Sequence, residues 1–288
     1  MYFSVVVPTY QDSKLCLLLD ALGKQTLDFK FWEVIIVNND PENSIVLNQS
    51  YGFPITMETE TKAGSYAARN KGLKTAKGEV MAFTDSDMLP DANWLEIAYT
   101  RFQEDKNREL GILTGPVPLF FKNPNKLTAA EVYEKYTGFD FESYAKEGAC
   151  GAGNWFSYKS VMEEFGGFRE DLKSNGDTEL SLRISKKHKV VYVPELVNRH
   201  PARYTTAELV FRYRRILGGV YTRRFQGDKF GFFKHVLGFV WRRYRFALKK
   251  FFTVPLHESV AIFMVCNAIN LGAVKEYWGL VNGGETRR

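Results

Sequence analysis

The chain has 288 residues, of which 45% are apolar and 25% are charged. This composition excludes an intrinsically disordered chain, and the length allows one large α/β domain or a domain with an appendage. The three cysteines, Cys16, Cys150 and Cys266, do not have metal-ligand spacing and cannot all be paired, which argues against a zinc motif or a disulfide framework and favours a reducing compartment.

Apolar runs alternate with helical patterns along the first two hundred residues. Continuous apolar runs predict strands at 3–7, 33–37, 55–60, 79–84, 110–117 and 189–193. Helical spacing of apolar residues predicts helices at 15–22, 65–76, 92–103 and from 177 onward. This alternation implies a mainly parallel sheet with helices on both faces. The N-terminus lacks a basic leader and is interpreted as the first strand, so no export is expected.

Three polar clusters follow predicted strands, at 8–12, 38–40 and 85–87. Ligands of such sheets bind beyond the carboxyl ends of the strands. Each cluster could be an ordinary turn, but that explanation does not account for three of them at one edge. We therefore expect the clusters to converge on one crevice.

The cluster at 85–87 contains two carboxylates, Asp85 and Asp87, directly after a buried strand. Carboxylates this close repel each other unless a cation lies between them, and a hard divalent ion that carries substrate phosphates is a common solution. An isolated D-x-D triplet is more often a solvated turn. The surrounding motifs favour the metal site.

At this point the chain resembles the family 2 inverting glycosyltransferases with the GT-A fold. Five segments carry the resemblance in the expected order, over roughly the first two-thirds of the chain; they are 5–10 (VVVPTY), 33–40 (EVIIVNND), 64–72 (GSYAARNKG), 85–87 (DSD) and 176–180 (GDTEL). The resemblance implies an α/β catalytic domain with a mainly parallel sheet flanked by helices, and the rest of the chain is predicted to form a helical, basic C-terminal extension.

The resemblance also implies a site for a nucleotide-sugar donor. Many relatives have an Asp that contacts the uracil edge where this chain has Asn38, and Asp40 is the alternative for that role. The segments 151–156 and 161–168 match the family's loop and helix between the metal and the base, and the small residues at 151–153 would let the donor sugar approach the backbone. The implied donor-binding residues are Pro8, Thr9, Tyr10, Asn38, Asp40, Gly64, Arg69, Asn70, Asp85, Ser86, Gly153 and Asn154.

The reaction implied by the resemblance needs a metal and a base. Asp85, Asp87 and His200 would hold Mn or Mg, although a lone His before a proline is equally often incidental. Asp177 would be the general base; the alternative is a simple helix N-cap, and Gly176 stands where many relatives have Glu. Trp155 and Glu179 would bind the acceptor, although Trp155 fits a core position equally well.

The C-terminal part of the chain is strongly basic. Residues 199–250 carry 14 Lys or Arg against 2 acidic residues, whereas residues 1–198 carry 22 basic and 28 acidic residues. Aromatic side chains alternate with these arginines, and the uncharged run at 259–274 is shorter than the ~20 apolar residues of a spanning helix. We predict amphipathic helices on an anionic membrane surface, with a packed helical cap as the alternative and no nucleic-acid partner expected.

Two domains are therefore predicted, a GT-A catalytic domain at 1–204 and a membrane-associating region at 205–288. The predicted function is a metal-dependent inverting transfer from a nucleotide-diphospho-sugar, expected to be UDP-linked, to a glycan or lipid-linked acceptor in polysaccharide or glycolipid biosynthesis. The predicted location is the cytoplasmic face of the plasma membrane. A sugar-phosphate nucleotidylyltransferase and a catalytically inactive scaffold of the same fold remain alternatives.

Overall fold

A computed structural model describes residues 2–287 of the chain. Its strands are β1 Phe3–Thr9, β2 Trp32–Asn38, β3 Ile55–Thr59, β4 Val80–Phe83, β5 Leu89–Pro90, β6 Leu110–Thr114, β7 Leu119–Phe120, β8 Trp155–Tyr158, β9 Lys189–Tyr192 and β10 Asn198–Pro201. Its α-helices are α1 Leu15–Leu22, α2 Ser65–Thr75, α3 Trp94–Glu104, α4 Ala129–Lys135, α5 Phe141–Lys146, α6 Lys159–Glu164, α7 Gly176–Ile184, α8 Thr206–Val220, α9 Lys229–Phe251 and α10 Leu256–Val281. A 3₁₀ turn at Phe29–Phe31 and a π-helical turn at Tyr221–Phe225 complete the elements.

The chain forms two compact units that are interleaved in sequence. The sheet unit contains the residues up to 118, 139–171 and 176–200, and the helical unit contains 119–138, 172–175 and the residues from 201 onward. The predicted domain boundary at 204 stays a prediction. By packing alone, the earlier segments 119–138 and 172–175 group with the C-terminal helices.

The sheet unit is built on a seven-stranded sheet in the order β3-β2-β1-β4-β8-β6-β9. The pairs β3–β2, β2–β1, β1–β4 and β6–β9 are parallel, which confirms the mainly parallel sheet, whereas β8 runs antiparallel to β4 and β6. Part of the segment expected as a loop is therefore a central strand. Every residue of β1 and β2 is buried, as expected for strands that are covered on both faces.

Two helices of the sheet unit show how the sequence pattern sets the packing. The predicted helix at 92–103 is confirmed as α3, and its apolar stripe is buried as expected. Helix α2 lies close to the sheet because Gly72 has no side chain: a Cβ atom there would lie 2.4 Å from Val6 Cγ1. The close approach brings the polar residues of α2 to the carboxyl edge of the sheet.

The helical unit has its own core. Apolar residues of α4, α8, α9 and α10 form it, namely Ala130, Val132, Tyr133, Leu209, Ala247, Ile262, Val265, Cys266 and Ile269. Buried charges are paired: Glu134 accepts hydrogen bonds from Arg203 (2.7 Å) and Arg212 (3.1 Å). Among the helices at residues 2–287, only α10 is long and apolar enough to cross a membrane, judged by length and composition alone.

The segment 172–175 also belongs to the helical unit. Asn175 has a left-handed backbone (φ 60°), and its Nδ2 donates to the Ile216 carbonyl of α8 at 3.4 Å. A Cβ atom on Gly219 would lie 2.7 Å from the Ser174 carbonyl oxygen, so α8 and this segment are in close contact.

Candidate active site

The three polar clusters meet at the carboxyl edge of the sheet, as predicted. The Nε2 of Gln11, in the loop after β1, donates to Asp40 Oδ2 at 2.6 Å. The hydroxyl of Ser86, in the turn after β4, donates to Asp12 Oδ2 at 2.6 Å. These bonds connect the ends of β1, β2 and β4, so the edge forms one polar crevice.

Asn38 has a structural role in this edge. Its Nδ2 donates to the carbonyls of Asp40 (3.0 Å) and Asn43 (2.7 Å), and its Oδ1 accepts the Asp40 N–H at 3.0 Å. Both ends of the buried amide therefore hold the loop that carries Asp40. A carboxylate at position 38 could not donate these two bonds, which gives a physical reason for the departure from the family pattern.

Asp85 is fixed by a buried cation. Arg69 of α2 is 4% exposed and donates to Asp85 Oδ1, while the Asp85 side chain is 41% exposed. A Cβ atom on Gly153 would lie 3.4 Å from Asp85 Oδ2, so a small residue flanks the carboxylate. The burial of the guanidinium makes this pair more than a surface ion pair, and it holds one oxygen of Asp85 in place.

Asp87 lies between an imidazole and an ammonium group. His200 Nε2 is 3.9 Å from Asp87 Oδ1, and Lys14 Nζ is 3.8 Å from Asp87 Oδ2. The structure thus brings two of the predicted metal ligands together. Within residues 2–287, no three His, Cys, Asp or Glu residues are grouped closely enough to hold a metal by themselves. A metal here would need oxygen ligands from the substrate.

The predicted base lies in the first turn of α7. Asp177 Oδ1 accepts the Tyr66 hydroxyl at 3.1 Å and the Thr178 N–H at 2.9 Å, and Oδ2 accepts the Ala152 N–H at 3.3 Å. Tyr66 is on α2, one turn from Arg69, whose guanidinium carbon is 5.7 Å from the Tyr66 ring centre. The chain Asp85, Arg69, Tyr66 and Asp177 therefore connects the carboxylate cluster to the predicted base.

Three predicted contact residues are buried structural residues. Asn70 Nδ2 donates to the Phe168 carbonyl at 2.8 Å, and its Oδ1 accepts the Phe168 N–H at 2.9 Å. Asn154 is fully buried and holds the Trp94 indole and the Leu196 carbonyl. Trp155 is also fully buried, in β8, which corrects the prediction that its ring stacks on a sugar: β8 is an interior strand and leaves no face of the ring open.

The other predicted residues have varied environments. Pro8 and Thr9 are buried at the end of β1, whereas Tyr10 is 48% exposed beside the crevice. Gly64 precedes α2 with φ 136°, which favours glycine, and its N–H donates to Asn39 Oδ1 at 2.7 Å. Both Glu179 oxygens accept from Arg183, at 2.9 and 3.1 Å, so this predicted acceptor residue forms an ion pair within α7.

The contacts of Tyr66 and Gln11 were not predicted from the sequence. Tyr66 was inside the 64–72 motif but had no role there, because nothing local indicates a partner 111 residues away. Gly176 was the available signal: a Cβ atom there would lie 2.7 Å from Tyr66 Cε2, so the missing side chain leaves room for the ring.

Comparison with known proteins agrees with this geometry. The model of the family named Glycosyl transferase family 2 matches residues 4–164, more than half of the chain. Glycosyltransferase AglE of Haloferax volcanii is 30% identical over 211 residues, which cover 70% of this chain and 67% of AglE.

Solved structures share the fold. Mannosyltransferase PcManGT from Pyrobaculum calidifontis, in complex with GDP-Man and Mn²⁺, has a TM-score of 0.57 and 18% identity over 98% of this chain and 76% of its own. Staphylococcus aureus TarS 1–349, in complex with UDP-GlcNAc, has a TM-score of 0.54 and 15% identity over 100% of this chain and 93% of its own. The chain spans 55% of a longer TarS structure. Taken with the family match, these findings show that the chain belongs to glycosyl transferase family 2 and is a glycosyltransferase with the GT-A fold.

Proposed function

We propose that the chain transfers a sugar, with inversion, from a UDP-linked donor to a hydroxyl of a glycan or lipid-linked acceptor. The single observation that carries this proposal is the chain of contacts from Asp85 to Asp177, in which Arg69 donates to Asp85 and lies over the Tyr66 ring, and the Tyr66 hydroxyl donates to Asp177. In this proposal Asp85 serves the leaving diphosphate and Asp177 serves the acceptor, and the contacts of Arg69 and Tyr66, both on α2, support the pairing of these two roles. A nucleotidylyltransferase would not need the second carboxylate in this position.

The residues present fit a divalent metal that is shared with the substrate. Asp85 and Asp87 are hard oxygen donors with exposed fractions of 41% and 24%, and His200 adds a nitrogen donor. Mg²⁺ and similar ions are commonly bound by one or two carboxylates together with substrate phosphates, which agrees with the small protein donor set. When bound, Mn²⁺ or Mg²⁺ would neutralise charge on the diphosphate.

The remaining chemistry is done by side chains of the chain. The acceptor oxygen attacks the anomeric carbon from the face opposite the diphosphate, the bond from that carbon to the diphosphate oxygen breaks, and the hydroxyl proton passes to Asp177. Asp40, held by Gln11 and Asn38, is the candidate for contact with the base of the nucleotide. The solved TarS and PcManGT complexes hold UDP-GlcNAc and GDP-Man, so sharing the fold does not select the base.

Two variants test the chemistry. A screen of UDP- and GDP-linked sugars first identifies the donor with the fastest metal-dependent release of nucleotide. Asp87→Ala should then weaken UDP binding in the presence of Mn²⁺, as measured by calorimetry. Asp177→Asn should keep UDP binding and lose turnover by about 10² or more. The exposed variant Asp28→Asn is the control for a lost carboxylate.

Each outcome decides one assignment. Equal UDP affinity of wild type and Asp87→Ala, with and without Mn²⁺, contradicts the metal assignment. Near-normal turnover of Asp177→Asn means that another group is the base. Absence of nucleotide release from every sugar tested would favour the inactive scaffold.

We also propose that the helical unit binds the anionic cytoplasmic face of the plasma membrane. Helix α9 has seven Lys or Arg and no acidic residue. Large apolar side chains are exposed along α9 and α10; they are Phe230, Phe233, Leu237, Trp241, Leu248, Phe251, Leu256, Val260, Phe263, Met264, Leu271, Val274 and Trp278. Basic charge beside exposed apolar surface is typical of interfacial helices.

Peripheral binding is favoured over a membrane-spanning α10. Glu276 of α10 is 3% exposed and pairs with Arg214 at 2.7 Å, and Ser259 and Asn270 of α10 are buried within the unit. A spanning helix would have to expose these polar groups to lipid, which is costly.

Sedimentation with vesicles tests the membrane proposal. Binding to anionic vesicles should fall only partly as salt rises, because salt weakens charge attraction but not apolar insertion. The double variant Trp241→Ala/Phe252→Ala should bind more weakly, whereas Leu17→Ala, which removes an exposed apolar side chain from the sheet unit, should not. No binding to any vesicle, or tighter binding to duplex DNA with a steep salt dependence, would contradict the proposal.

A further inference from the structure

The backbone at Gly176 leaves room for an aromatic ring. A Cβ atom at this position would lie 2.7, 2.9 and 3.0 Å from three ring carbons of Tyr66. Such distances are too short for a real contact, so any larger residue would displace the ring. Tyr66 thus occupies the space that a side chain directly before Asp177 would need.

The Tyr66 ring is fixed on its other sides. It is 6% exposed and stacks on Phe168, with ring centres 5.6 Å apart and an interplanar angle of 21°. Arg69 lies 5.7 Å from the same ring. With the ring fixed in this way, the hydroxyl lies 3.1 Å from Asp177 Oδ1 and donates to it.

The hydroxyl is a donor at neutral pH. Burial, and next the charge of Asp177, raise the pKa of Tyr66 well above its ordinary value, so the phenol keeps its proton. The charge of Arg69 opposes this rise but is a smaller influence on the pKa of Tyr66. Burial, and to a smaller extent the charge of Asp177, raise the pKa of the Cys150 thiol far above its ordinary value, so this thiol also stays protonated. Tyr66 therefore supplies the side-chain hydrogen bond to Asp177.

We propose that Tyr66 is a positioning residue for the transfer, and that it holds the Asp177 carboxylate so that Oδ2 faces the acceptor hydroxyl. This inference rests on the proposed role of Asp177 as the base. Among residues 2–287, two donors hold Oδ1, namely the Tyr66 hydroxyl and the Thr178 N–H, whereas Oδ2 accepts one longer bond, from Ala152 N. The less restrained oxygen is the one that can take the proton.

The first experiment removes only the hydroxyl. Tyr66→Phe keeps the ring that stacks on Phe168, so the fold and the UDP affinity should be unchanged. Turnover should fall about tenfold or more with less than a twofold change in KM for the donor, because the lost bond is to a charged group.

Two further comparisons between variants separate a positioning role of Tyr66 from a packing role. Tyr66→Phe should have no added effect in an Asp177→Asn background, because the bonded base is already lost. Gly176→Ala should cost about tenfold in turnover with Tyr66 present and less than twofold in a Tyr66→Ala background, where the ring no longer blocks the new Cβ. Tyr158→Phe, another buried phenol of the sheet unit, is the matched control and should leave turnover unchanged.

The outcomes distinguish this inference from the proposed function. If Asp177→Asn is inactive but Tyr66→Phe has normal turnover, Tyr66 is only a packing residue and the inference is wrong. If Tyr66→Phe loses turnover equally in the Asp177→Asn background, its effect does not act through Asp177, which also contradicts the inference. If Asp177→Asn has near-normal turnover, the base assignment itself fails.

Discussion

Asn154 offers a sharp test of whether a residue in the motif region binds the donor or supports the fold. It is fully buried, accepts the Trp94 indole N–H at 2.9 Å and donates to the Leu196 carbonyl at 2.7 Å and the Pro116 carbonyl at 3.4 Å. Asn154→Ala leaves the indole N–H and the Leu196 carbonyl buried without these partners. Each such group costs about 1–3 kcal/mol. We therefore expect a loss of about 4 kcal/mol in the free energy of unfolding.

For a unit of this size, that loss lowers Tm by roughly 10 °C. Thermal melting followed by circular dichroism measures Tm, and titration with UDP and Mn²⁺ at 15 °C measures donor binding in the folded variant. UDP affinity should stay within twofold of wild type. Asn107→Ala, an exposed turn residue, should change stability by less than about 0.5 kcal/mol. An unchanged Tm together with lost UDP binding would refute the structural role of Asn154 and support the prediction that it binds the donor.

Two further predictions concern packing and accessibility. Gly72→Ala should destabilise the sheet unit by about 1–2 kcal/mol in urea titrations, because the new Cβ would lie 2.4 Å from Val6 Cγ1 and this outweighs the better helix propensity of Ala. Adding Val6→Ala should recover part of the lost stability. A Gly72→Ala variant as stable as wild type would contradict this packing. Ellman's reagent at pH 8 should label one thiol per native chain, that of the partly exposed Cys16. Cys150 and Cys266 should not react, because both are buried. Burial raises the pKa of Cys266 to about 11 and that of Cys150 further, so neither thiol forms the reactive thiolate. Three thiols should react after unfolding, and more than one in the native chain would show that the described cores open.

Local patterns predicted the parts of the fold that local physics controls. The continuous apolar runs of β1 and β2 and the helical stripe of α3 are set by neighbours in sequence, and all three lie within a residue or two of their predicted bounds. The convergence of the strand-end clusters also followed from the parallel order of β2, β1 and β4.

The features that were not predicted from the sequence depend on contacts between residues far apart in the chain. Strand β8 was expected to begin as a loop, because its place in the sheet comes from pairing with β4, where Phe83 lies opposite Trp155. The same pairing buries Trp155 and removes it from the acceptor site. The Tyr66 contact to Asp177 likewise joins residues 111 positions apart. Residue type alone did not separate the asparagines that support loops from those that could contact a ligand.

The interleaving of the two units bears on how this enzyme can be divided for experiments. The chain passes between the units at 118, 138, 171, 175 and 200, so no single cut separates them. A fragment that ends at 204 would keep Ala130 and Tyr133 but lose Leu209 and Ile262, which share their core. It would also remove Ile216, which holds Asn175 two residues before Asp177. An inactive fragment would therefore say nothing about catalysis, and chimeras between relatives should exchange all the segments of one unit together.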